Sequence, residues 1–189
     1  LDLVVNTESA SAGSRLYFSN SATSFSDVTS THAQGLPLTI KERSAVAADL
    51  NNDGFNDFIV NTFNRIEVYI NKGPSATPAY SFGTSIQAPN QTISSISGGI
   101  NAEGILLVDY DNDGDTDLLV INSSGWSWDK NPLQAYSALY QNDGKGKFTN
   151  VTKEAGLHFS LYGMGVAVGD YDNDGWDDLY ITAVGDNRL

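Results

Sequence analysis

Short apolar runs come in pairs along this chain, and a polar window of nine residues separates the two members of each pair. The windows lie at 49–57, 109–117 and 170–178, and the flanking runs are SAVAAD and DFIVNT, ILLVDY and DLLVIN, and GVAVGD and DLYITA. The runs are rich in β-branched residues and are bounded by Gly, Asn, Asp and Ser, a pattern typical of strands and turns. Each pair therefore predicts two short strands around a polar loop.

Further runs of similar composition follow each pair and predict a third and a fourth strand. The third-strand runs are RLYFSN (15–20), RIEVYINKG (65–73) and ALYQNDGKG (138–146). The fourth-strand runs are SFSDVT (24–29), AYSFG (79–83) and KFTNVT (147–152). Each period thus contains four short strands separated by turns.

The period is nearly constant, since Asp49 and Asp109 are 60 residues apart and Asp109 and Asp170 are 61 residues apart. A repeat of this length with four strands indicates a propeller blade or a related β-array. We therefore expect an all-β chain made of β-propeller blades of four antiparallel strands. Because propellers close with about 4–8 blades, we also expect the chain to be an incomplete fragment of a longer propeller.

The repeat predicts four segments of a single propeller domain. They are the C-terminal part of a blade at 1–43, a blade with the first polar loop at 44–103, a blade with the second at 104–164, and the start of a blade with the third at 165–189.

Charge is concentrated in the three windows. The chain of 189 residues has 23 acidic and 10 basic side chains, a formal net charge of -13, and no Cys. Thirteen of the acidic residues lie in the windows, so the rest of the chain is neutral. No basic stripe is present for a nucleic-acid partner, and no apolar run approaches the roughly 18 residues of a membrane span. The lack of Cys excludes disulfides, zinc sites built on Cys, and a cysteine nucleophile.

The windows share the form Asp-x-[Asp/Asn]-x-Asp-Gly-x-x-Asp, which is typical of a calcium loop. Side-chain oxygens at positions 1, 3, 5 and 9 and a backbone carbonyl at position 7 converge when the chain curls, and Gly at position 6 permits the turn. Oxygen ligands without His or Cys favour Ca²⁺. The predicted metal ligands are Asp49, Asn51, Asp53, Phe55 and Asp57; Asp109, Asp111, Asp113, Asp115 and Asp117; and Asp170, Asp172, Asp174, Trp176 and Asp178, with Phe55, Asp115 and Trp176 contributing their carbonyls.

Two other interpretations of the windows are weaker. An EF-hand needs Glu at position 12, where this chain has Val60, Val120 and Ile181, and it needs flanking helices. Asp, Asn and Gly also cluster in ordinary turns. Three clusters at a constant period disfavour that explanation, because so many carboxylates would repel one another without a cation.

The motif inside a four-stranded repeat resembles the FG-GAP/VCBS repeats, the calcium-binding blades of integrin α-type β-propellers. The stretches GVAVGDYDNDGWDDLYITAVGDNRL and LYQNDGKGKFTNVTKEAGL are similar to repeats of the cartilage acidic protein/UnbV group. The resemblance implies that calcium joins the first two strands of each blade and that ligands bind at the opposite face of the propeller. Asn51 departs from the pattern, because the other loops have Asp there, so we expect the first site to be weaker.

Features outside the loops are less informative. His32 and His158 lie in turn segments at unrelated places in the repeat, so we expect exposed loop residues. Trp126 and Trp128 are spaced to share one face of a strand, which suits either a sugar or protein contact or packing of their own insertion. Asn90, Asn122 and Asn150 begin N-x-[ST] triplets, which matter only if the source secretes through a glycosylating pathway.

These observations predict a calcium-binding, non-catalytic scaffold for binding or adhesion. We expect it outside the cytoplasm (extracellular, at a cell surface or periplasmic), where millimolar Ca²⁺ fills such loops. Its partner would be a protein or a glycan, with no nucleic acid and no membrane span. Two alternatives are a non-catalytic module of a secreted enzyme and an extracellular structural subunit that self-associates through incomplete blades.

Overall fold

The computed structural model shows antiparallel sheets built from the predicted strands. It describes residues 3–5, 15–21, 24–27, 42–62, 66–71, 102–123 and 136–189. The strands are β1 (Leu3–Val5), β2 (Arg15–Ser21), β3 (Ser24–Asp27), β4 (Glu42–Ala48), β5 (Asp57–Thr62), β6 (Ile66–Tyr69), β7 (Ala102–Val108), β8 (Asp117–Asn122), β9 (Ala138–Asn142), β10 (Phe148–Asn150), β11 (Tyr162–Gly169) and β12 (Asp178–Val184). The predicted all-β class with antiparallel strands is therefore confirmed, and the described sheets have two to four strands.

The chain divides into two units, Leu1–Gln91 and Thr92–Leu189. The first unit contains the sheets β1-β2-β3 and β4-β5-β6. The second contains a four-stranded sheet, in which β7, β8, β9 and β10 are neighbours in chain order, and the hairpin β11-β12. The fourth strand predicted at 79–83 lies outside the described residues, and so do Trp126 and Trp128. Among the residues that are described, no helix is long and apolar enough to cross a membrane.

The strand pairs that flank the three loops have the same register. The residue before the first Asp of each loop pairs with the Asp at position 9, as Ala48 with Asp57, Val108 with Asp117 and Gly169 with Asp178. Each hairpin also has a β-bulge at the same offset, between Glu42 and Ser44, between Ala102 and Gly104, and between Gly163 and Gly165. The repeat seen in the sequence is therefore also a repeat of the backbone structure.

The core of the second unit joins its two sheets. Val108, Leu119, Ile121 and Leu139 of the four-stranded sheet pack with Ile181 of β12, and all five are buried. Every residue of β8 is buried, because this strand lies inside its sheet and is covered on both faces. This packing places the second and third loops at the same end of neighbouring sheets.

Candidate metal sites

The first Asp of each loop closes the turn with both of its carboxylate oxygens. In the first loop, the backbone N–H groups of Asp53 and Gly54 donate to Asp49 at 3.0 and 2.7 Å. The second and third loops repeat both bonds at 3.0 to 3.1 Å, with Asp109 and Asp170 as acceptors. The carboxylate accepts hydrogen bonds from backbone N–H groups that have no backbone acceptor in so tight a turn.

Two left-handed residues make the turn possible. Position 4 is Asn in every loop, with φ of 57° at Asn52, 54° at Asn112 and 59° at Asn173. Position 6 is Gly in every loop, with φ between 87° and 91°. Asn tolerates this region better than most residues and Gly adopts it without strain. The repeated Asn was visible in the sequence, but its role appears only with the backbone angles.

The Asp at position 5 continues the curl. Oδ1 of Asp53, Asp113 and Asp174 accepts the N–H of the residue at position 7, at 2.9 Å in each loop. That hydrogen bond points the backbone N–H of Phe55, Asp115 or Trp176 towards the inside of the loop. The predicted ligation by their carbonyl oxygens stays a prediction.

In the first two loops, the Asp at position 9 connects the start of its loop to the C-terminal end of the third strand or to the residues just after it. Asp57 accepts the N–H groups of Leu50 and Asn71 at 2.9 and 2.7 Å. Asp117 accepts those of Tyr110 and Asn142 at 3.1 and 2.7 Å. In the third loop, Asp178 accepts the N–H of Tyr171 at 2.8 Å.

Burial dominates the electrostatics of two of these carboxylates. Both Asp57 and Asp117 are 0% exposed. Removal from water raises the pKa of each carboxyl to about 6, although the backbone N–H donors of Asn71 and Asn142 respectively act to lower it. A nearby cation would favour the ionised form, so these buried acids suit a metal site.

Two Asn residues of the third strand support the loops, and the sequence analysis did not identify them. The side-chain amide of Asn71 donates to the carbonyl of Asn56 at 3.2 Å. The amide of Asn142 donates to the carbonyl of Thr116 at 3.1 Å, and its Oδ1 accepts the N–H of Gly146 at 3.1 Å. The available signal was the Asn in INKG (70–73) and QNDG (141–144), at one place in the repeat.

Oxygen atoms converge in the second and third loops. One oxygen each from Asp109, Asp111 and Asp117 lies within 4.8 Å of the others, and the same holds for the group Asp170, Asp172 and Asp174. Positions 1, 3 and 9 thus meet in the second loop, and positions 1, 3 and 5 in the third. Asp113 and Asp178 lie outside these groups and are held by the backbone bonds described above.

The second loop has an acceptor that its own chain does not satisfy. Asp111 receives the side-chain amide of Gln141 on Oδ2 at 2.7 Å, but its Oδ1 is buried without a hydrogen-bond partner. A buried carboxylate oxygen in this state costs free energy unless a donor or cation reaches it. The donor set of this loop therefore fits a hard cation such as Ca²⁺.

The first loop differs at Asn51, as the sequence indicated. The side-chain oxygen of Asn51 accepts the N–H of Asp53 at 3.2 Å, and Asp172 accepts the N–H of Asp174 in the same way in the third loop. The difference is the side-chain amide of Asn51, which donates to Oδ2 of Asp53 at 3.0 Å and so occupies an oxygen of a predicted ligand. Among the described residues, the groups of three converging acids occur in the second and third loops.

The remaining candidates have mixed outcomes. His158 is exposed, as expected, and its ring stacks on that of Tyr136 at 4.4 Å. Asn122 is 0% exposed and its amide donates to the carbonyl of Tyr136 at 3.4 Å, so the folded chain does not present it for glycosylation. Asn150 is exposed. The predictions on His32, Asn90, Trp126 and Trp128 lie outside the described residues.

Comparison with known families supports the repeat. A family model described as an FG-GAP-like repeat matches residues 49–120 and 109–181, which together are more than half of the chain. Each match begins at the first Asp of a loop and extends into the strand after the next loop. No curated protein matches the chain.

Proposed function

The chain belongs to the FG-GAP-like repeat family, and on that basis we propose that it is a calcium-binding, non-catalytic scaffold for binding or adhesion outside the cytoplasm. Repeats of this kind are consistent with a β-propeller module, and the family is generally non-catalytic. The narrower resemblance to the cartilage acidic protein/UnbV group stays a prediction.

The observation that carries the proposal is the set of converging oxygens in the second and third loops. Asp111, with its buried and unsatisfied Oδ1, marks the second loop as the best-formed site. When bound, calcium would supply the positive charge that these carboxylates lack. The chain itself holds the loop closed through the carboxylates at positions 1 and 9, so the ligands are arranged before a cation arrives.

The loops lie between the first and second strands of each repeat. Calcium there would stabilise the hairpins β4-β5, β7-β8 and β11-β12 at the end where each turn is tightest. Asn51 reduces the charge of the first loop, so we propose that this site is the weakest of the three. Millimolar calcium outside cells fills loops of moderate affinity, whereas cytosolic calcium leaves them empty.

Thermal unfolding with and without calcium tests this proposal. A ligand at 100 times its Kd adds about 2.7 kcal/mol per site, which raises the Tm of a chain of this size by about 5–10 °C at 2–4 °C per kcal/mol. We expect excess EGTA to remove the whole increase. An unchanged Tm across both conditions would rule out calcium binding by the folded chain.

Matched variants assign the effect to the loops. Replacing Asp111 and Asp172 by Ala removes one ligand from the second and third loops, and we expect most of the calcium-dependent rise in Tm to disappear. Asp177→Ala combined with Asp186→Ala removes the same two charges from exposed residues that are not predicted ligands, and we expect this control to keep the rise. Equal losses in both variants would point to general charge screening instead.

A further inference from the structure

The second and third loops are joined by a hydrogen bond that crosses from one repeat to the next. The side-chain amide of Asn112 donates to the carbonyl oxygen of Gly175 at 3.0 Å, across 63 residues of sequence. Asn112 lies between the predicted ligands Asp111 and Asp113. Gly175 lies between the predicted ligands Asp174 and Trp176.

Both ends of this bond are attached to backbone that carboxylates of the two loops already hold. On the donor side, the N–H of Asp113 donates to Asp109 at 3.1 Å, which fixes the left-handed turn at Asn112. On the acceptor side, the carbonyl of Gly175 shares its peptide with the N–H of Trp176, which donates to Oδ1 of Asp174 at 2.9 Å. The bond therefore runs from a residue whose turn Asp109 closes to a peptide that the predicted ligand Asp174 holds.

The packing of the sheets keeps the two loops in register. Ile181 of β12 packs with Leu119 and Ile121 of β8 in the core of the second unit. Each of these strands begins at position 9 of its loop. A movement of one loop relative to the other would have to shift this core.

We propose that the bond from Asn112 to Gly175 couples the two sites, so that calcium in one loop raises the affinity of the other. The proposal rests on the proposed function, since it requires that both loops bind calcium. Calcium in one loop further restricts the residue at that end of the bond and, through the bond, the residue at the other end, and the same coupling must act in both directions. A single exposed hydrogen bond limits the coupling to about two- to tenfold.

The third loop provides a comparison for this role. Asn173 has the same position and nearly the same backbone angle as Asn112, at 59° against 54°. Within the described part of the chain, no hydrogen bond links its side chain to another loop. The coupling is therefore assigned to the junction of the second and third loops and to the amide of Asn112.

The test measures a coupling factor by calcium titration calorimetry on the full chain. All proteins carry Asp53→Ala, which weakens the first loop. Adding Asp172→Ala gives the association constant of the second loop alone, and adding Asp111→Ala gives that of the third. The coupling factor is the product of the two stepwise constants of the protein with both loops intact, divided by the product of the two single-loop constants.

We expect a factor of about two to ten, and about one when every protein also carries Asn112→Gly. Gly adopts the left-handed backbone without strain and removes the side chain that carries the amide donor. Asn173→Gly is the matched control, and we expect it to keep the original factor. Circular dichroism checks that each protein is folded. If the protein with Asp111→Ala or Asp172→Ala is not folded, Asp113→Ala or Asp174→Ala respectively replaces that substitution.

The outcomes separate the two proposals. A chain with all three loops intact that binds no calcium overturns the proposed function and the coupling together. Calcium binding with a factor of one leaves the proposed function standing and overturns the coupling. A factor that survives Asn112→Gly shows that the hydrogen bond does not carry it, which also overturns the inference.

Discussion

Carboxylates of identical chemistry have different roles within each loop because the turn gives each position different neighbours. The first Asp accepts two N–H groups and closes the turn, while the ninth is buried in the first two loops and reaches the third strand. The third position makes few bonds with the chain, and in Asp111 one oxygen has none. A carboxylate oxygen that accepts no hydrogen bond from the chain is the one most available to a cation.

The sequence predicted which acidic residues make up each loop, but neither their separate hydrogen-bonding roles nor the supporting Asn residues. The Asp pattern lies within nine residues and is read directly from the sequence. Asn71 is 14 residues from Asp57, whereas Asn142 is 25 residues from Asp117. Since an insertion changes that distance between repeats, only the pairing of the second and third strands reveals the contact.

Removing one supporting amide should therefore destabilise the chain. Asn142→Ala leaves the carbonyl of Thr116 and the N–H of Gly146 without their partner. We expect the free energy of unfolding to fall by about 1–3 kcal/mol. Urea unfolding in EGTA measures this without a contribution from calcium. Asn56→Ala, at an exposed residue, should change stability by less than about 0.5 kcal/mol, and equal effects would contradict the supporting role.

At the scale of secondary structure, the three hairpins share a register and a bulge. The bulges skip Arg43, Glu103 and Met164, each six residues before the first Asp of its loop. The apolar runs predicted these strands and the loops between them. The bulge could not be predicted, because a bulge depends on backbone pairing and the three residues have no chemistry in common.

The contact between sheets gives a prediction at the same scale. Leu119 of β8 is 0% exposed and packs in the core that includes Ile181 of β12. We expect Leu119→Ala to lower the free energy of unfolding by about 2–5 kcal/mol, because it leaves a cavity between the two sheets. Met164→Ala, at a residue that is 57% exposed on β11, should cost less than about 0.5 kcal/mol. Similar losses in the two variants would show that the sheets do not pack as described.

At the scale of the whole chain, the period near 60 residues with four apolar runs predicted an all-β chain of propeller blades. The resemblance of the Asp loop motif to FG-GAP/VCBS repeats indicated the family, and the family match begins at Asp49 and Asp109. The charge also has a structural location, since thirteen of the 23 acidic residues lie in three loops. The hydrogen bond from Asn112 to Gly175 could not be predicted from the sequence, because it depends on how two sheets pack.

The closed loops have a consequence for how this chain exchanges its amide hydrogens with solvent. In every loop, the N–H groups at positions 2, 5, 6 and 7 donate to carboxylates, although positions 5 and 6 are exposed. Exposed turns ordinarily exchange fast.

These twelve amides should instead exchange about ten- to hundredfold more slowly than the amide of Glu154 in the exposed turn residues 153–156. Deuterium exchange followed by mass spectrometry would show this, and rates equal to that of Glu154 would mean that the loops open in solution. With the expected result, the amides of the most polar segments of the chain would be protected from exchange as those of its strands are.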